Sequence, residues 1–151
     1  MSELVAIYVT SDAGGPMRSV ATVDAVAGRG LVGDRNEGDN RDDPERQLTL
    51  IEAEAVEAVA SEQGLAVTAG DMRRNLVVRG VSLNDLVGRE FAVGPIRVRG
   101  IKLCEPCRHL ERLTGLPVIK PFVHRAGLNA EILTSGRIAV GDAVGVDSDV
   151  A

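Results

Sequence analysis

Short apolar runs and runs that alternate between apolar and polar residues recur along the chain and predict a protein built mainly from β-strands. The clearest are the apolar run 4–9 and the run 96–103, which alternates apolar with charged residues. Further strands are expected at 20–26, 47–51, 76–80, 90–93, 127–133 and 137–140, with a last strand ending at Val146. Glycine-containing turns separate most of these runs. The pattern therefore predicts a mainly β, α+β fold, a closed or strongly curved mixed β-barrel with a few short peripheral helices.

Only one segment has a clear helical period. Its apolar stripe consists of Ala55, Val56, Val59 and Ala60. Thr49 and Glu52 have the spacing of a capping box at its start, and Gly64 can end it. Two shorter helices are expected, one from Pro106 to Gly115 and one over 117–125, where Pro121 would break it.

Composition limits the number of domains and the classes of partner. A chain of 151 residues with 44% hydrophobic residues predicts a single domain spanning 1–151. Tyr8, Phe91 and Phe122 are the three aromatic residues, so the core must be aliphatic. This scarcity, together with a net charge of −5, argues against nucleic acid as a partner, because base stacking needs aromatic side chains and phosphate backbones attract positive charge.

The N-terminal segment predicts a location in the cell. Residues 1–9 contain an acidic residue and an apolar run too short for a secretion signal or a membrane span. A cytoplasmic protein without a membrane partner is therefore expected. The segment 34–46 is polar and heavily charged, and it predicts a mobile surface loop.

Two cysteines in the sequence Cys104-Glu105-Pro106-Cys107 are the main candidates for chemistry. Cys104 follows a predicted strand, and Cys107 enters the first turn of a predicted helix, where free N–H groups and Arg108 favour its thiolate. In a reducing compartment this spacing suggests metal binding or redox chemistry more than a structural disulfide. The plain alternative is that both are small buried hydrophobic residues.

Other uses of the two thiols remain open. Zinc could be bound with His109 or His124, but structural zinc usually needs a second ligand pair that the sequence lacks. A thioredoxin-like site lacks its usual βαβ surroundings. Each histidine is more typical of a packing or surface residue.

A basic cluster, Arg73-Arg74-Asn75, lies at the start of a predicted strand. Guanidinium groups bind phosphate with two parallel hydrogen bonds, so the cluster is a candidate anion site. The alternative is the solvated edge of a loop.

Several short motifs occur in a recognisable order along nearly the whole chain. They are GDR at 33–35, RQLTLI at 46–51 with Glu54, RRN at 73–75, LNDLVG at 83–88, CEPC at 104–107, RAGLNA at 125–130 and GRIAVGD at 136–142. This ordered set resembles the MOSC domain, a family named for the C-terminal part of molybdenum-cofactor sulfurases and found in small stand-alone bacterial proteins. The resemblance implies a mixed β-barrel and a role in molybdenum-cofactor or sulfur chemistry.

The resemblance also implies roles for individual residues. Cys107 would be the molybdenum ligand, with Cys104 as its partner thiol. Arg73, with Arg74 and Asn75 beside it, would hold the phosphate of molybdopterin. The cofactor-binding residues would also include Arg46 and Thr49.

Two functions follow from these expectations. The first is an oxidoreductase that binds the molybdenum cofactor and reduces N-hydroxylated or other N–O-containing small molecules with electrons from a redox partner protein. The second is a sulfur carrier or cofactor-binding module without turnover, in which Cys107 takes a persulfide from a cysteine desulfurase and Cys104 resolves it.

Overall fold

The computed structural model describes residues 2–146, and strands account for most of its regular structure. The eleven strands are β1 (Glu3–Val9), β2 (Arg18–Val20), β3 (Thr22–Val26), β4 (Gly30–Leu31), β5 (Leu48–Glu52), β6 (Leu76–Arg79), β7 (Glu90–Val93), β8 (Ile96–Leu103), β9 (Leu128–Ile132), β10 (Gly136–Ala139) and β11 (Val144–Val146). The helices are α1 (Ala53–Gln63) and α2 (Arg108–Thr114). Short 3-10 turns lie at Pro44–Arg46, Gly70–Met72 and Leu83–Leu86.

Eight strands form one mixed sheet in the order β11-β7-β8-β9-β5-β6-β1-β2. The β5–β6 pair is parallel and the other ladders of this sheet are antiparallel. The sheet curls into a half-barrel, and a smaller sheet, β10-β3-β4, lies beside it. The expected strongly curved, mainly β fold is therefore confirmed, and the curved sheet is open rather than closed.

The central strands are buried on both faces, because successive side chains of a strand point to opposite sides. Leu50 and Leu76 belong to the core inside the curve, with Phe91. Their neighbours Ile51 and Val77 belong to a second core on the outer face. The second core also contains residues of α1 and α2 and the buried side chains of 118–126. The outer face is therefore covered by helices and turns over part of its area.

Helix α1 forms where the apolar stripe predicts it, but the predicted capping box is wrong. The N-cap residue is Glu52, which makes no side-chain capping bond. Its carboxylate instead accepts the backbone N–H of Leu83 at 3.0 Å. Thr49 lies inside β5 and bonds to Asn75, so neither partner of the expected box is available. Gly64 ends the helix in the left-handed conformation, as expected.

Two other expectations need correction. Residues 117–125 form turns instead of a short helix. The run 20–26 is split at Ala21, because β2 pairs with β1 in the large sheet whereas β3 pairs with β10 in the small one. In the loop 34–46, Asn40 is buried, and its amide donates to the carbonyls of Arg29 and Asn36 at 2.8 and 2.6 Å. Among residues 2–146, neither helix has the length and apolar character needed to cross a bilayer.

Candidate functional site

Polar side chains from four neighbouring strands meet in one row on the outer face of the sheet. Thr49 of β5 is opposite Asn129 of β9, and Asn129 is opposite Lys102 of β8. At the other end of the row, Asn75 precedes β6 and hydrogen-bonds to Thr49. Thr49 and Asn129 each alternate with buried residues of the inner core, so the row lies on the outer face beyond the part covered by helices.

A β-bulge in β8 puts the cysteine segment on the same face. The register shifts between Gly100 and Lys102, so that Ile101 is an extra residue against β9. Without this residue, Lys102 would continue the buried series formed by Ile96, Val98 and Gly100. The bulge turns Lys102 outward to the row, and Cys104, two residues later, follows the same alternation.

Above the row lies a cleft with a volume of about 580 Å³. It is lined by sixteen residues: Thr10, Met17, Asp34, Arg35, Asn36, Glu45, Arg46, Thr49, Arg73, Arg74, Asn75, Lys102, Leu103, Cys104, Glu105 and Asn129. Five of these side chains are basic and three are acidic. In a protein with a net charge of −5, this local excess of positive charge favours an anionic occupant.

Arg73 is a basic residue of the cleft whose guanidinium is partly buried. It follows the 3-10 turn Gly70–Met72 in the left-handed conformation, with φ 59. Its Nε and Nη2 atoms are buried and have no hydrogen-bond partner within residues 2–146. Burial, followed by the nearby Arg35 guanidinium, lowers the pKa of Arg73, and Asp34 partly offsets both effects. A buried guanidinium without a partner costs free energy that a bound anion would offset.

Arg74 has a different role, because it binds backbone carbonyls of the cysteine segment. Its Nε donates to Ala126 at 2.8 Å, and its Nη2 donates to Cys104 at 3.3 Å and to Glu105 at 3.5 Å. Gly127 lies beside this contact, and a Cβ there would overlap the carbonyl of Leu50. Arg74 therefore positions the cysteine segment against the sheet.

Asn75 is buried and joins three strands through its hydrogen bonds. Its Oδ1 accepts the backbone N–H and the hydroxyl of Thr49, each at 3.2 Å, and its Nδ2 donates to the carbonyl of Tyr8 at 3.1 Å. Its own N–H donates to the Thr49 hydroxyl at 2.9 Å. Asn75 and Thr49 thus form the floor of the cleft and use most of their hydrogen-bonding capacity within the protein.

The model of the MOSC domain family matches residues 34–145, which is most of the chain. The chain belongs to the MOSC domain family. No curated protein matches it. Among solved structures, this MOSC domain is similar to the YUAD protein from Bacillus subtilis, with a TM-score of 0.79 and 16% identity over 95% of this chain and 94% of that one.

It is also similar to YiiM from Geobacillus stearothermophilus and YiiM from Escherichia coli. The first has a TM-score of 0.78 and 18% identity, covering 98% of this chain and 76% of that one. The second has a TM-score of 0.70 and 17% identity, covering 99% of this chain and 71% of that one. At these identities the likeness concerns the fold alone.

The two cysteines of the MOSC domain lie in different environments. Cys104 lines the cleft and is half-buried, and burial raises the pKa of its thiol, with Arg74 acting in the opposite direction. Cys107 is exposed, does not line the cleft, and is the N-cap residue of α2, one position before the predicted first turn. The other expected site residues, Arg46, Thr49, Arg73, Arg74 and Asn75, all line the cleft.

The histidines do not combine with the cysteines in a metal site. His124, with φ 62, binds the Glu105 carboxylate through its backbone N–H at 2.8 Å and its Nδ1 at 2.6 Å. His109 is exposed on α2. Within the part of the chain that the structure describes, no three His, Cys, Asp or Glu side chains are grouped to hold a metal ion. The protein-only zinc site is therefore not formed.

Ten of the sixteen cleft residues are absent from the sequence-based site predictions, and Arg35, Lys102 and Glu105 are three of them. Arg35 lies in a charged segment that is typical of solvated loops, although it is part of the GDR motif. Lys102 is predicted as an ordinary exposed residue of a regular strand; the signal that could have marked the bulge is the change in the spacing of charged residues across Gly100. Glu105 lies between the cysteines, and its bond to His124, 19 residues away, depends on the fold.

Proposed function

We propose that this MOSC protein binds the molybdenum cofactor in the 580 Å³ cleft, with the cofactor phosphate at Arg73. The observation that carries the proposal is the pair of buried Arg73 nitrogens without a hydrogen-bond partner among the described residues. Two oxygens of a phosphate can accept parallel hydrogen bonds from the planar guanidinium. Arg35, whose charge acts on Arg73, would share the same anion.

Cys107 is the proposed molybdenum ligand. A metal binds the thiolate form of cysteine, and burial raises the pKa of the alternative, Cys104. Cys107 is exposed on the segment that Arg74 fixes through the carbonyls of Cys104 and Glu105. Cys107 does not line the cleft, so its thiol would meet the metal from outside the cleft lining.

The proposed reaction is the reduction of an N-hydroxylated or other N–O-containing small molecule. Such a reduction breaks the N–O bond, consumes two electrons and two protons, and releases the oxygen as water. An N-hydroxylated substrate gives the N–H compound, and the electrons come from an external redox partner protein. When bound, the molybdenum cofactor supplies the two-electron redox chemistry. The protein supplies the phosphate contacts of Arg73 and Arg35, the positioning contacts of Arg74 and the thiolate of Cys107.

Molybdenum content tests the assignment directly. Protein would be purified from a host that makes the cofactor, and its metal content and ultraviolet–visible spectrum would be measured. We expect bound molybdenum in the wild type, and strong loss in Arg73→Gln and in Cys107→Ala. His109→Gln is the matched control, because His109 is exposed on the same helix as the Cys107 cap. Equal molybdenum in the wild type and Cys107→Ala would refute the ligand assignment.

The second candidate function is sulfur transfer, and the exposure of Cys107 favours it. The exposed thiol of Cys107 can contact a cysteine desulfurase, and Cys104, three residues earlier in the cleft wall, can then receive the sulfur. Attack of the Cys107 thiolate on the outer sulfur of the enzyme persulfide releases the enzyme thiolate and forms the Cys107 persulfide. Mass spectrometry after incubation with a desulfurase and cysteine would detect the added sulfur. No adduct on either cysteine would exclude this function.

A further inference from the structure

A second group of positive charges lies at the other end of the cleft from Arg73. Arg46, which ends the 3-10 turn before β5, and Lys102, after the bulge of β8, both line the cleft. Neither makes an ion pair within 4 Å or a side-chain hydrogen bond among residues 2–146. Glu45 is the acidic side chain of this end, and no ion pair joins it to either cation.

The backbone holds these two cations beside each other. Asn129 is opposite Lys102 in the β8–β9 ladder, and its side-chain amide donates to the carbonyl of Glu45 at 3.0 Å. The residue that follows Glu45 is Arg46, so this hydrogen bond fixes the Arg46 turn over the strand that faces Lys102. The arrangement is built by β8, β9 and the turn together rather than by flexible side chains alone.

The two ends of the cleft are separated by groups that are already engaged. Arg74 binds the carbonyls of the cysteine segment, and Asn75 and Thr49 bind each other. The charge of Lys102 also reaches Cys104, whose thiol pKa it lowers. An anion at the Arg46–Lys102 end would therefore lie next to the cysteine segment and apart from the anion expected at Arg73.

We propose that Arg46 and Lys102 form a second anion subsite, which binds the carboxylate of a substrate beside the cysteine segment. Calling the occupant a substrate rests on the proposed function, whereas the existence of the subsite does not. The proposal assigns Arg46 to substrate selection instead of the cofactor contact expected from the sequence. It predicts that carboxylate-bearing N–O compounds are preferred over neutral compounds of the same size.

A titration of ¹⁵N-labelled protein with inorganic phosphate separates the two ends. We expect two sets of shifting backbone amides, one around Arg73 and one around Arg46, Lys102 and Asn129. Arg73→Gln should abolish the first set, and Lys102→Gln should abolish the second. Lys120→Gln, which changes the other lysine of the chain, should alter neither set. The subsite would be overturned if the second set is absent in the wild type or persists in Lys102→Gln. If the wild type shows the second set but not the first, the result counts instead against the proposed cofactor phosphate site.

Paired alkylating reagents test for a carboxylate near the thiols. Iodoacetate and iodoacetamide attack a thiolate in the same way, with loss of iodide, and differ in charge. The ratio of their rates cancels any change in thiol ionisation. Alkylation of Cys104 and Cys107 would be followed by mass spectrometry in the wild type, Lys102→Gln, Arg46→Gln and Lys120→Gln. Each cleft variant should lower the iodoacetate-to-iodoacetamide ratio roughly two- to fivefold, and an unchanged ratio in both would refute the proposal.

Discussion

Replacing Asn75 with alanine should destabilise the protein strongly, because this side chain joins β1, β5 and the start of β6. The substitution removes the acceptor for the Thr49 backbone N–H and the donor to the Tyr8 carbonyl. Each group left unpaired in a buried setting costs about 1–3 kcal/mol. Asn75 is 5% exposed, and some of these bonds are only partly buried, so water relieves part of the cost. A loss of roughly 2–4 kcal/mol is expected, out of a total stability of about 5–15 kcal/mol.

Urea unfolding followed by circular dichroism measures this loss. The slope of the free energy of unfolding against urea concentration should be the same in Asn75→Ala and in the wild type. Asn84→Ala is the matched control, because its exposed side chain donates one bond, to the carbonyl of His124; it should cost less than about 1 kcal/mol. Thr49→Val combined with Asn75→Ala should show a coupling of at least about 0.5 kcal/mol. A cost of Asn75→Ala equal to that of Asn84→Ala, or no coupling with Thr49, would refute the structural role of Asn75.

Three further perturbations follow from the structure. Gly100→Ala should prevent stable folding, because the new Cβ would overlap the backbone carbonyl of Leu86. The control Gly38→Ala, with open space around it, should leave the urea midpoint nearly unchanged. Similar midpoints for the two variants would contradict this packing. Arg74→Gln should raise the pKa of Cys104 further, because it removes a nearby positive charge, and thiolate absorbance against pH would detect this; a lowered or unchanged pKa would contradict it. Burial raises the pKa of Glu52 in the folded protein. Between the pKa of the unfolded chain and that of the folded protein, the folded state therefore keeps a proton that the unfolded chain releases. The contribution of Glu52 to the free energy of unfolding falls as pH rises through this range. Glu52→Gln should therefore lose less stability than the wild type across that range in urea unfolding at several pH values, and parallel curves would contradict the sign.

Most of the strands could be predicted because each has at least one consistently buried face. The alternation over 96–100 reflects the inner core directly, and the apolar stripe of α1 reflects the outer core. The errors arise where distant residues decide the local structure. Thr49 is removed from the expected capping box by Asn75, 26 residues away. In the segment 117–125, prolines remove backbone donors, and the Ile119 N–H bonds to the Glu111 carboxylate at 3.1 Å instead of continuing a helix.

The division of the site between predictable and unpredictable residues has the same physical origin. Arg73 and Arg74 are adjacent in the sequence, yet Arg73 has two buried nitrogens without a partner in residues 2–146, whereas Arg74 holds the cysteine segment. Only the fold separates these roles. Lys102 is the sharper case, because a regular strand would bury it with Gly100, and a single extra residue turns it outward. The same bulge sets the direction in which Cys104 leaves the strand. The position of the cleft thiol and of the second positive charge thus depends on one backbone irregularity, where the spacing of charged residues changes between Arg99 and Lys102. Interpreting 96–103 as one regular strand misses this change, so the carboxylate subsite was inferred from the structure.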